Sequence, residues 1–147
     1  CDNPIGDMCW STDFAANTPL DTTLEENQQY DPNYAYGSNY WAGAKKACSD
    51  MGMELPTLAQ LAQLASELYV NSSDGSAVTI GATEEKNGLK VKDEYSQNPP
   101  LTLGHYYWSS EELDANRAYL RCFTTTYSRR NLNSKGYSYR RAVCISN

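Results

Sequence analysis

The sequence predicts an α+β domain, and two observations carry that expectation. Two segments with helical apolar spacing lie in the first half, at 38–52 and 57–69. Three strand-type runs lie in the second half, at 105–110, 117–124 and 139–145. Helices first and strands afterwards point to an antiparallel sheet with helices packed on it. A chain of 147 residues is long enough for one core, so 1–147 reads as a single domain.

Residues 1–37 show no persistent period and recur in Asn, Asp, Pro, Gly and Thr, so they read as irregular, with a turn at Asp31-Pro32-Asn33-Tyr34. They are not read as disordered, because Trp10, Phe14, Tyr30, Tyr34 and Tyr36 need a place to pack. The first helix follows. Ser38 suits its N-cap, Trp41, Ala44, Cys48 and Met51 fall on one face, and Gly52 closes it. Pro56 then halts the chain. Thr57 and Gln60 have the spacing of a capping box, and Leu58, Leu61, Leu64, Ala65 and Leu68 form an apolar stripe, so a helix is expected over 57–69. Val78-Thr79-Ile80 reads as a short strand and 82–104 as a long polar loop or lobe. His105–Ser110, Arg117–Thr124 and Tyr139–Ile145 read as strands, with Asn131–Gly136 as the loop joining the last two.

Charge is divided sharply. The first 114 residues hold all 18 acids against five lysines. From Ala115 onward there is no acid, and Arg117, Arg121, Arg129, Arg130, Lys135, Arg140 and Arg141 supply seven cations. The same stretch is rich in Tyr, Asn, Ser and Thr, the composition of a recognition surface rather than of a catalytic pocket. The candidate ligand-binding residues are Arg117, Tyr119, Arg121, Tyr127, Arg129, Arg130, Asn131, Asn133, Tyr137 and Tyr139. Alternation puts Arg117, Tyr119, Arg121 and Phe123 on one strand face and Ala118, Leu120 and Cys122 on the other. Two adjacent strands showing Tyr and Arg outward would make a binding platform. The plainer reading is a solvated strand face whose charges protect an edge.

Other functions find less support. A net charge of −6 opposes bulk nucleic-acid binding, and the tail's charges are dispersed rather than clustered. No apolar run approaches the about 18 residues of a membrane span. Cysteines at 1, 9, 48, 122 and 144 with a single His105 fit no zinc spacing, so no metal or cofactor is expected. His105 has no nucleophile paired with it by spacing. Arg121 beside Cys122 would lower a thiol pKa, but alternation points the two apart, so no catalytic residue is assigned. The composition favours an oxidising, exported setting with disulfides; an odd count of five leaves one thiol free, blocked or intermolecular, and the alternative for Cys1 is the lipidated cysteine of a trimmed lipoprotein. Cys1–Cys9 and Cys9–Cys122 are competing pairs.

A family resemblance rests on five segments in order. Cys9-Trp10 with Thr12-Asp13-Phe14 is similar to the Cys-Trp-Met-Thr-Gln-Asn-Leu opening of a bacterial lectin-like family, the Fibrobacter-paralogous type. Cys48 through Gly52 to Leu55-Pro56-Thr57 resembles its Cys-Pro-x-Gly-Trp-x-Leu-Pro-Thr segment. Tyr107-Trp108-Ser109-Ser110-Glu111, Ala118-Tyr119-Leu120 through Phe123, and Gly136 with Arg141-Ala142-Val143-Cys144-Ile145 resemble its later strands. Met53-Glu54, where Trp-Arg is usual, and the extra Cys122 depart from the pattern. The resemblance implies a C-type lectin fold: two helices on a small twisted antiparallel sheet, chain ends close together, and Cys48 bridged to Cys144. That bridge closes a loop of about 97 residues, worth roughly 4–5 kcal/mol in the chain-entropy model. Calcium-dependent lectins of this fold carry Glu-Pro-Asn or Gln-Pro-Asp and Trp-Asn-Asp, since calcium takes roughly six to eight oxygens. Neither motif occurs here, and Glu84-Glu85 and Glu111-Glu112 read as solvated surface pairs. The larger formylglycine-generating relatives need a longer chain and a cysteine pair that this sequence does not display.

The tail also resembles the hypervariable strands and loop of retroelement-diversified variable proteins, which share that fold. The resulting expectation is a non-enzymatic extracellular or surface receptor or adhesin. It would bind a protein or glycan with some negative charge through 115–145. The alternatives are a pilin or surface-fibre subunit with its anchor upstream, or a carbohydrate-binding lectin.

Overall fold

A computed structural model describes residues 1–20 and 38–146. The turn expected at 31–34 and the packing of Tyr30, Tyr34 and Tyr36 lie outside them. The chain forms strands β1 (Asn3–Ile5), β2 (Met8–Trp10) and β3 (Phe14–Ala15), helices α1 (Tyr40–Asp50) and α2 (Leu58–Leu68), strands β4 (Tyr69–Asn71) and β5 (Leu89–Val91), and a short α3 (Asp93–Ser96). Strands β6 (His105–Glu112), β7 (Arg117–Phe123), β8 (Ser128–Ser134), β9 (Arg141–Ala142) and β10 (Ile145–Ser146) follow. The fold is α+β, with early helices and late strands as expected.

Local chemistry accounts for both longer helices. At α2, Thr57 Oγ1 accepts from the Gln60 backbone and the Gln60 side chain accepts from the Thr57 backbone, the reciprocal box its spacing implies. At α1 the cap is Asn39 rather than Ser38, with Oδ1 accepting from the Ala42 amide. Gly52, at φ +71°, turns the chain out of α1, a backbone region that favours glycine. Met51, expected on the apolar face, is instead the half-exposed C-cap. Gly43 is required by close approach: a Cβ there would sit 1.9 Å from the Thr18 carbonyl oxygen.

Among the described residues the main sheet has the order β3-β9-β6-β7-β8, antiparallel except for the β6–β9 pair. A second sheet, β1-β2-β10, joins the beginning of the chain to its end. Tyr107 and Phe123 pack with Leu61, Leu64 and Leu68 of α2, whereas Trp108, Ala118 and Leu120 pack with Trp41, Ala44 and Cys48 of α1. Successive strand residues point opposite ways, so the two cores cover opposite faces of β6–β7.

Several expectations are corrected. The opening segment contains a hairpin and a sheet-pairing strand, held by partners too distant in sequence to show as a period. Val78 and Ile80 are core pegs rather than a strand, and only Ala77 makes an isolated bridge there. The 82–104 lobe includes β5 and α3. Asn131–Ser134 is strand, not loop, because β8 pairs with β7 from Arg117↔Ser134 to Phe123↔Ser128. The final run breaks after Ala142, since the chain leaves β6 and crosses to β2 and Glu54. Cysteines pair as Cys1–Cys9 and Cys48–Cys144, which removes Cys9–Cys122, and Cys122 is a buried free thiol.

The bridges differ in span, 8 residues against 96. Chain entropy then assigns about 2.5 kcal/mol to the first and about 4.7 kcal/mol to the second. Urea unfolding of a Cys1→Ser/Cys9→Ser variant and a Cys48→Ala/Cys144→Ala variant should show the second losing about 2 kcal/mol more. Equal losses would contradict this account.

Candidate functional site

The C-terminal cations divide into those the fold uses internally and those it leaves outward. Arg121 is wholly buried. Its guanidinium donates to Ser128 Oγ at 3.0 Å and to the carbonyls of Gly81, Ala82 and Glu84 at 3.1, 3.3 and 2.8 Å, while Nε has no partner. This corrects the expectation that Arg121 belongs to the binding surface. Strand alternation does place it on the Tyr119 face. The 81–86 segment covers that end of the face, held by the two Lys86–Ser128 backbone bonds.

Lys135 is 3% exposed, with Nζ donating to Glu112 Oε2 and the Ala115 carbonyl at 2.9 Å each. The same Nζ lies 4.4 Å from the Trp41 ring centroid. Arg117 donates to Asp114 Oδ2 through Nε and Nη2, at 3.0 and 2.8 Å. Arg141 Nε donates to Asp13 Oδ2 at 2.8 Å, and the Tyr107 hydroxyl donates to the same oxygen at 2.9 Å. Burial pushes the Asp13 carboxyl up, but the bonds from Arg141, Tyr107 and Thr102 outweigh it and hold it below its ordinary value. Burial also pushes the Tyr107 phenol up, which keeps it a donor.

The remaining residues form two groups on opposite faces of the β7–β8 ribbon. The register Tyr106↔Cys122↔Arg129 sets Tyr106 and Arg129 on one face, above the buried Cys122 thiol. Arg129 Nη2 donates to Tyr106 Oη at 3.3 Å, and its guanidinium lies 5.2 Å from the Tyr127 ring. Arg140 lies between two rings, 4.5 Å from Tyr106 and 4.9 Å from Tyr137. Its Nε donates to Asn133 Oδ1 at 2.7 Å. Asn131 shares this face by alternation. Tyr139, 80% exposed, follows Tyr137 beside a cavity of about 400 Å³ lined by residues 136–139. Arg130 stacks 4.8 Å over Tyr119 on the other face, where Arg117 also sits. Thus Tyr127, Arg129, Asn131, Asn133 and Tyr137 come together, while Arg117, Tyr119 and Arg130 face the other way. Tyr106 and Arg140 complete the first group and were not among the candidates. Tyr106 offered only its place beside Tyr107 and Trp108, and the register that sets it over Cys122 is not a local signal.

The carboxylate pairs are engaged within the protein. Glu111 Oε2 accepts from the Leu58 amide at 2.6 Å, Glu112 holds Lys135, Glu84 Oε1 accepts from the Gly81 amide, and Glu85 stands 3.9 Å from Arg129. Among the described residues no three His, Cys, Asp or Glu side chains gather as a metal cluster. No described helix is long and apolar enough to cross a membrane. Burial raises the Cys122 thiol, the opposite of activation. Comparison with protein-family models, with curated proteins and with solved structures returned no match.

Replacing Arg121 with Ala should cost about 3 kcal/mol in denaturant unfolding, because one hydroxyl and three carbonyls lose a charged donor. A loss under about 0.5 kcal/mol would show the site is not buried. Asp13 has a depressed folded pKa, so its contribution is present above its unfolded value and lost as pH falls through the folded one. Wild-type stability should therefore drop below about pH 4, while Asp13→Asn should be less stable at pH 7 and flatter across that acid range. Parallel pH–stability curves would contradict the assignment.

Proposed function

We propose that this chain is a non-enzymatic ligand-binding domain of C-type lectin type that works outside the cell. Its binding face is formed by Tyr106, Tyr127, Arg129, Asn131, Asn133, Tyr137, Tyr139 and Arg140. The two disulfides support an oxidising setting. Two helices packed on a small, largely antiparallel sheet, with β1 and β2 beside β10, support the lectin-type reading. The observation that carries the binding proposal is Arg140: two rings hold its guanidinium, and Asn133 takes Nε. That arrangement lowers the entropy cost of ordering the side chain and leaves both terminal nitrogens for a ligand carboxylate or sulfate. The rings supply area and Arg129 a second donor. The ligand is a protein or glycan carrying negative charge. We further infer that the face is diversified by a retroelement, because Tyr, Asn, Ser and Arg fill outward positions while Ala118, Leu120 and Cys122 stay inside.

Binding to an anionic glycan and acidic peptide array should fall by at least about tenfold in Arg140→Ala and in Tyr139→Ala, while Tyr139→Ala changes stability by under about 0.5 kcal/mol. Arg130→Ala, on the opposite face, should bind as wild type. Unchanged binding by both site variants would place the site elsewhere. The diversification half has its own test: a near-copy of the coding region for 115–145 beside a reverse-transcriptase gene. A complete locus without that copy would remove it.

A further inference from the structure

Asparagine followed by glycine occurs once in the chain, at Asn87-Gly88, between the turn that receives Arg121 and strand β5. An Asn side chain carries its electrophilic Cγ near the next residue's backbone nitrogen, and glycine has no Cβ to obstruct the approach. Both residues are exposed. The Asn87 side chain accepts and donates no hydrogen bond among the described residues, and the Gly88 amide donates none. Beyond its chain neighbours, nothing lies within 4 Å of the place a Gly88 Cβ would take, so a ring closed there has room.

The nearest chemical rivals are held. Asn71 and Asn133 are each followed by serine. Asn71 Nδ2 donates to Ser76 Oγ at 2.9 Å, and the Ser72 amide is spent on the Gly88 carbonyl at 2.8 Å. Asn133 Nδ2 donates to the Leu132 carbonyl at 2.9 Å while its Oδ1 accepts from Arg140. In the Asp74-Gly75 pair, Asp74 Oδ1 accepts from the Ser76 amide at 2.9 Å and the Gly75 amide donates to the Asn71 carbonyl at 2.8 Å. Asn3 and Asn98 precede proline, whose nitrogen has no hydrogen to lose.

We propose that Asn87 is the site at which this chain modifies itself, by spontaneous deamidation, and that the isoaspartate product releases the 81–86 segment from β8. The Gly88 nitrogen, its proton lost to solvent base, attacks Asn87 Cγ. The Cγ–Nδ2 bond breaks, and Nδ2 leaves as ammonia after taking up a proton. Water then opens the resulting succinimide at either carbonyl, giving aspartate or isoaspartate. One water enters and one ammonia leaves, with no oxidation or reduction. Isoaspartate routes the main chain through Cβ and Cγ and so adds one backbone atom between two anchors. On one side Lys86 exchanges two backbone bonds with Ser128, at 2.8 and 3.0 Å. On the other, Gly88 accepts from Ser72 at 2.8 Å and Leu89 donates to Thr126 at 2.9 Å. The Lys86–Ser128 bridge is isolated, whereas β5 has three paired residues, so the bridge gives way first.

The disulfide-intact chain is aged in mildly alkaline buffer, native and in urea, and mapped by peptide mass spectrometry with fragmentation that separates isoaspartate from aspartate. In the native chain Asn87 should convert at least about tenfold faster than Asn71 or Asn133, with isoaspartate among its products. Urea should speed Asn71, Asn133 and Asp74 far more than Asn87. The isoaspartate form, isolated by ion exchange, should show the Lys86 and Ser128 amides exchanging hydrogen at least about tenfold faster than in the fresh chain. Asn87→Asp gains the charge without the extra backbone atom and should exchange as the fresh chain does. An Asn87 that survives in the native chain while converting in urea, or that converts after Asn71 or Asn133, overturns the assignment. Unchanged exchange in the isoaspartate form, or equal acceleration in Asn87→Asp, overturns the release of the segment.

Discussion

Arg121 carries its charge in the interior with no carboxylate in hydrogen-bonding contact among the described residues. Burying an uncompensated guanidinium is costly, and burial pulls its pKa below the ordinary value. The fold meets that cost with oxygen dipoles: three carbonyls of the 81–84 turn and the Ser128 hydroxyl. That arrangement fixes more than one side chain. It pins the 81–86 segment against β7 and β8, places Glu85 near Arg129, and closes one end of the Tyr119 face. Lys135 and Arg141 are also drawn inward, but against carboxylates: Lys135 is held by Glu112, a carbonyl and Trp41, and Arg141 by Asp13. A stretch without acids must draw its counter-charges from earlier in the chain: Asp114 and Glu112 lie close by, while Asp13 and Glu85 tie Arg141 and Arg129 to earlier segments.

The sulfur bridge between Cys48 and Cys144 acts in the same direction through covalent means. It fastens α1 to the segment between β9 and β10, beneath Trp108 and Leu120. From there β10 reaches β2, and β9 carries Arg141 to Asp13 on the other face. With those ties made, Arg140 is the alternate residue that points away from Asp13, toward Tyr106 and Tyr137. The proposed ligand face is thus the remainder left after the fold has drawn on the cations that it needs. This is why its residues come from β6, β8 and the 136–140 turn rather than from one continuous run.

What was legible in the sequence follows the range of the forces involved. Helix α2 emerged within one residue at each end, because its capping box and its leucine stripe are both local. The cap of α1 was misplaced by one residue, since Ser38 and Asn39 are adjacent residues of equal capping chemistry. Strand β8 was misread as a loop at Asn131–Ser134, where two Asn residues have poor strand propensity and only pairing with β7 overrides it. Val78 and Ile80 misled in the opposite sense, being β-branched but used as isolated pegs. Alternation in β7 was read correctly, and Cys122 lies opposite Arg121 as expected. Alternation cannot tell which face a distant turn will cover, so Arg121 was taken for surface and Arg140 was not singled out.

Arginine-selective labelling with phenylglyoxal, followed by mass spectrometry of the native chain, tests this partition most directly. Arg129, Arg130 and Arg140 should be modified at rates near that of free arginine. Arg121 should react at least about a hundredfold more slowly, at the rate set by opening of the structure. Arg121 reacting as fast as Arg130, or Arg140 protected to the same degree as Arg121, would contradict the account.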